Sequence, residues 1–128
     1  MKKMIDLIAD SGTGKDSKLL EFVRKNYLVD NVISNICFIS GQPSEIDYHI
    51  QPSAEELYEL AFNKNDKNTI YFFRSFFFDK DRDNYLKVIE KMCEANIQIF
   101  KTDQVTEHVT SDKEWLDKYC QFITLEDL

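Results

Sequence analysis

Turn-forming residues are scarce. Three glycines and two prolines in 128 residues exclude collagen-like repeats and glycine- or proline-rich linkers. Cysteine is sparse as well. Cys37, Cys93 and Cys120 are odd in number and lie far apart, with no C-x-x-C pair. His49 and His108 are not spaced with them as zinc ligands would be. That excludes a disulfide scaffold and a zinc ribbon, and the three thiols are expected to be buried in a reducing compartment. No apolar run is long enough for a membrane span. "TIYFFRSFFF" (69–78) reaches about half of the ~20 residues needed and contains Arg74. "MIDLIA" follows Lys2 and Lys3, but Asp6 interrupts it and it is too short for the apolar region of a signal peptide. A soluble, cytoplasmic protein is expected. Positive charge is in deficit: 16 basic against 23 acidic residues give a net charge of −7 and a pI near 4.8. Such a surface repels nucleic acid and anionic lipid and attracts a basic protein.

What the chain does have is core material. Apolar residues make up 43% and aromatics 13%, enough for one domain over residues 1–128 without metal or disulfide support. Residues 4–9 read as a strand. Residues 16–28 follow as a helix with Leu19, Leu20, Val23 and Tyr27 on one face. "NVISNICFIS" (31–40) reads as a buried strand and 41–52 as a loop punctuated by Gly41, Pro43 and Pro52. Ser53 and Glu56 form a capping box that opens a helix with Leu57, Tyr58 and Ala61 inward. Strand 69–78 follows, with Phe72, Arg74, Phe76 and Phe78 on one side and Phe73 and Phe77 on the other. Asp79 to Asp83 lead into a helix that buries Tyr85, Ile89, Met92 and Cys93. "NIQIFK" (96–101) reads as a strand. A second capping box, Ser111 with Glu114, opens a helix carrying Trp115, Leu116 and Tyr119. Alternation of this kind predicts a small three-layer α/β fold: a mostly parallel sheet of about four strands with helices on its faces.

The most suggestive stretch is "ADSGTGKDSK" (9–18), glycines between a strand and a helix. A Walker A loop would need Gly at Ala9 and Ser or Thr at Asp16, although Gly14-Lys15 are in place. "SGTGKDSK" (11–18) resembles the phosphate loop of flavodoxins, which often reads SGTGNTEK after the first strand. The resemblance covers about eight residues and implies flavin phosphate contacts from Ser11, Thr13 and Ser17. Lys15 and Asp16 stand where that family has Asn and Thr, and a carboxylate a few ångströms from a phosphate costs a few kcal/mol (~332/εr at a surface-like dielectric). The alternative is purely conformational: Gly12 and Gly14 turn the chain, and Asp16 or Ser17 caps the helix.

Two further patterns stand out. "DKDRDNYLKVIE" (79–90) has the D-x-D-x-D spacing and final Glu of an EF-hand loop, with Asp79, Asp81, Asp83, the Tyr85 carbonyl and Glu90 as ligands and Asn84 in the glycine position. Residues 69–100 are similar in pattern, not in motif, to the strand–helix–strand of serine resolvase catalytic domains. In a parallel sheet a ligand binds beyond the carboxyl ends of the strands, here near Asp10–Ser11, Ser40–Gln42, Arg74–Ser75 and Thr102–Asp103. Arg74 needs an acid partner, for which Asp10 and Asp103 are the candidates.

With no intact catalytic set, the leading expectation is an acidic binding protein of the bacterial immunity-protein or phage-inhibitor kind. It would occlude a basic partner such as a nuclease toxin through Glu45, Asp47, Tyr48, Asp79, Asp81 and Asp83. No cofactor, metal, nucleic acid or membrane is expected with it. The alternative is a flavodoxin-like α/β domain that binds or processes a phosphorylated small molecule through Ser11, Thr13, Lys15, Arg74 and Asp103.

Overall fold

The computed structural model describes residues 1–27, 35–40, 49–63, 69–74, 81–104 and 110–128. Strands β1 (Met4–Ile8), β2 (Asn35–Ser40), β3 (His49–Ile50), β4 (Thr69–Arg74), β5 (Ile99–Asp103) and β6 (Cys120–Ile123) alternate with helices α1 (Lys15–Tyr27), α2 (Ala54–Phe62), α3 (Arg82–Glu94) and α4 (Lys113–Tyr119). The strands form one sheet in the order β3-β2-β4-β5-β1-β6, parallel at every pairing. The architecture is the α/β fold expected, with two strands more: β3 is only two residues long and β6 follows α4 without a break.

Strand alternation divides the core into two layers. Met4, Ile39, Tyr71, Phe73, Ile99 and Cys120 face α2, α3 and α4. Leu7, Ile70, Phe72 and Phe100 face α1 through Leu19 and Val23. Burial of both faces explains why β4 reads as a continuous apolar run rather than an alternating one. Phe72 and Phe73 lie on opposite sides as expected, and Phe76 to Phe78 lie outside the described residues.

Local chemistry sets the helix boundaries. Ser53 Oγ accepts from the Glu56 amide (3.1 Å) and Glu56 Oε1 accepts from the Ser53 amide (3.2 Å), a complete capping box. Ser53→Ala is expected to lower stability by about 1 kcal/mol, measurable by urea denaturation. Tyr58 on this helix is exposed rather than inward. It packs on Phe62 under the Lys91 ammonium, while Ala54, Leu57 and Ala61 form the buried stripe. At α4 the cap is Asp112, not Ser111: its carboxylate accepts from the Glu114 and Trp115 amides. "NIQ" is a helix stop rather than the start of a strand. Asn96 adopts a left-handed conformation (φ 61°), its amide reaches the Cys93 carbonyl and the Ile97 amide reaches that of Met92. This is a Schellman closure with Asn in the glycine position, and it delays β5 to Ile99.

The EF-hand pattern is also resolved by helix formation. Residues 82–90 lie in α3, so Asp83 and Glu90 belong to a helix instead of a coordinating loop. Glu90 accepts from Trp115 Nε1 at 2.7 Å. Asp79 lies outside the described residues.

Candidate functional site

Helix placement fixes where a ligand could enter. The chain leaves β1 for α1 on one face, and leaves β3, β4 and β5 for α2, α3 and α4 on the other. The β1 crossover also runs along the sheet in the opposite direction, as a constant crossover hand requires. Adjacent strands β1 and β5 therefore lead to helices on opposite faces, and such a reversal point is where open α/β sheets place a crevice for ligands. In a flavodoxin-like sheet β1 lies between β2 and β3. Here it lies between β5 and β6, so the likeness of residues 11–18 does not extend to strand order.

The β1–α1 loop lies at this crevice, where the Ala9 amide donates to the Asp103 carbonyl at 3.1 Å. Gly12 (φ 81°) and Gly14 (φ 71°) take conformations that residues with a side chain avoid. Thr13 Oγ1 donates to the Asp10 carbonyl at 2.7 Å, and Lys15 Nζ reaches back to the Ala9 carbonyl at 3.4 Å. Ser11 is exposed; Thr13 and Lys15 are half-buried.

Asp16 does not cap the helix. It lies in the first turn of α1, which begins at Lys15, and its acid complements the positive end of the helix. Its carboxylate points across the crevice: Oδ1 accepts from Thr102 Oγ1 and Oδ2 lies 3.9 Å from Arg74 Nε. Asp16, not Asp10 or Asp103, is thus the acid beside Arg74. The reason lies in strand parity: Arg74 and Thr102 share the α1 face, whereas Asp103 points to the other. The Arg74 side chain remains 36% exposed, so a ligand can reach it.

Behind the crevice, on the α3 face, is a cluster not anticipated from the sequence. Asp6 on β1 pairs in register with Lys101 on β5, and Asp103 lies two residues further on. All three are buried, at 0%, 2% and 7% exposure. Lys101 Nζ bonds Asp103 Oδ1. Both oxygens of Asp6 and Asp103 Oδ2 lack a hydrogen-bond partner among the described residues. Burial pushes the Asp6 carboxyl up to about 9, and the neighbouring Asp103 carboxyl adds to this while Lys101 opposes it. A signal was present in the sequence: "MIDLI" carries Asp6 and "IFKTD" carries Lys101, charges of opposite sign inside apolar strands, with Asp103 at the end of the second.

Other features lie apart from the crevice. Asp81 and Asp83 are exposed at the start of α3, Asp81 with a left-handed backbone (φ 61°) and its carboxylate accepting from the Asn84 amide group. Glu45, Asp47, Tyr48 and Asp79 lie outside the described residues. A groove of about 670 Å³ runs between α1 and the last turn, past Lys18, Phe22, Lys25, Leu125 and Leu128, and shares no residue with the strand-end site. Among the described residues no group of acidic, histidine or cysteine side chains could hold a metal ion, and no helix is long and apolar enough to cross a membrane. The sequence matches no protein-family model and no curated protein.

Proposed function

We propose that this protein binds a phosphorylated small molecule at the carboxyl ends of β1, β4 and β5. One observation carries the reading: Arg74, on β4, lies beside Asp16, the residue that follows Lys15 at the end of the glycine-turned β1–α1 loop, at the point where the sheet reverses. Loop and helix amides there provide an anion seat, and the two cations add charge to it. Asp16 opposes a dianion less than its position suggests, because Thr102 and Arg74 hold its carboxylate. A phosphate that enters would compete with Asp16 for Arg74.

The test is thermal unfolding with millimolar flavin mononucleotide, ATP or inorganic phosphate. At least one is expected to raise the midpoint by mass action. Lys15→Ala and Arg74→Ala should each abolish the rise, and Asp16→Asn should enlarge it by removing the competing carboxylate. A flat response of the wild type to all three ligands would refute the reading.

A second reading is supported by the exposed Asp81 and Asp83 on a chain of net charge −7: an acidic inhibitor that occludes a basic protein. It predicts a basic protein that co-purifies from the native host, and release of that protein by Asp81→Lys with Asp83→Lys but not by Lys15→Ala.

A further inference from the structure

The cluster behind the crevice contains more acid than base. Two carboxyls and one ammonium lie within two positions of each other on adjacent strands, all of them buried. If both carboxyls were ionised, the cluster would carry a net charge of −1 in an apolar layer, where an unpaired charge is very costly. Two carboxylates are also both acceptors, so neither can satisfy the other. That matches the unpartnered oxygens on Asp6 and Asp103. A single proton removes both problems: the cluster becomes neutral, and one carboxyl can donate to its neighbour.

We infer that Asp6, Lys101 and Asp103 form a proton-dependent clasp on the β1–β5 seam, closed by one proton shared between the two carboxyls and weakened when alkali removes it. The proton passes to solvent hydroxide and leaves the net charge of −1 behind. The seam matters because β5 is the strand that joins β1 to β4, and the Asp103 carbonyl anchors the β1–α1 loop through the Ala9 amide.

The other groups on this side do not replace the clasp. Cys120 on β6 is near enough to feel all three members, and Cys93 on α3 is near Cys120; burial raises both thiols, so they stay neutral below the alkaline range. The Tyr71 hydroxyl donates to the Leu60 carbonyl and that of Tyr85 to the Pro52 carbonyl. Glu90 and Glu94 accept from Trp115 and Tyr119 at the α3–α4 contact. Lys101 is the cation of this layer among the described residues.

The sign of the pH dependence follows from proton counting. An acid that titrates higher in the folded than in the unfolded state holds a proton that the unfolded chain has already released. Stability then falls as pH rises from the unfolded value towards the folded one, here between about 4 and about 9. The slope for one proton is tenfold in the folding constant per pH unit.

The experiment is urea denaturation of the full chain at pH 5, 6, 7 and 8, below the range of the thiols, for wild type and Asp6→Asn. Asn is a neutral near-isostere of the protonated acid. The wild type is expected to lose up to about a thousandfold in folding constant relative to Asp6→Asn across these three units, and contributions common to the two proteins cancel in the comparison. Parallel curves for the two proteins would overturn the inference. Infrared spectroscopy of the wild type provides a check that needs no variant. A buried protonated carboxyl band should be present at pH 7 and disappear in alkali; its absence at pH 7 would overturn the inference as well. Neither readout involves a ligand, so the clasp and the proposed phosphate site stand or fall separately.

Discussion

Lys101→Met is expected to lower stability at pH 7 by about 3–5 kcal/mol, the scale for breaking a buried ion pair by removing one partner. Methionine fills most of the space of the lysine stem, so a cavity contributes little. The loss comes from Asp103, whose Oδ1 would lose its bond to Lys101 while Oδ2 already has no partner. Lys101 is also the charge that opposes the raised Asp6 carboxyl, so without it the variant should recover as pH falls and be weakest in alkali. Urea midpoints at pH 5 and pH 8 check both parts. An equal loss at the two pH values would show that Lys101 acts through packing alone. Replacement of all three members by apolar residues of matched volume should cost far less than the single change, because no charge remains to be buried.

Phe73→Ala is the other large effect, about 3–5 kcal/mol. Phe73 is fully buried in the layer between the sheet and α3, on the central strand of that layer, opposite Lys101 in register. Loss of its ring leaves a cavity that two parallel strands on either side cannot close. Phe122 is the control. It is 42% exposed on the edge strand β6, and Phe122→Ala should stay within about 0.5 kcal/mol of wild type. Chemical denaturation of both variants decides the contrast. Comparable losses at positions 73 and 122 would mean that the two-layer core is wrongly drawn.

The parts of this fold that depend on neighbours along the chain were legible from sequence. The Ser53–Glu56 box, the inward stripe of α3 and the alternating order of strands and helices all follow from spacings of three or four residues. Asn96 shows the limit of such reading. "NIQIF" is rich in β-formers, yet a left-handed Asn after a helix is worth two backbone hydrogen bonds, and this outweighs propensity. Asp16 and Arg74 show a second limit, since they are 58 residues apart and only the sheet order brings α1 over β4. The same holds for Asp6 and Lys101. Each was readable as a polar residue on a strand, but their register across β1 and β5 is a property of the assembled sheet. Ser11, Thr13 and Lys15 were named from the glycine loop and Arg74 and Asp103 from the strand ends; Arg74 lies beside Asp16 next to that loop, whereas Asp103 points to the other face. Thr102 was noted only as a strand terminus, because nothing local marks it as the partner of Asp16.

The position of β1 has a consequence for how the chain folds. Its two neighbours are β5 and β6, which occupy residues 99–103 and 120–123. Loop closure over about a hundred residues must therefore precede any pairing of β1. Until that closure both edges of β1 are open, so the β1–β5 seam is the slow, high-contact-order step of folding.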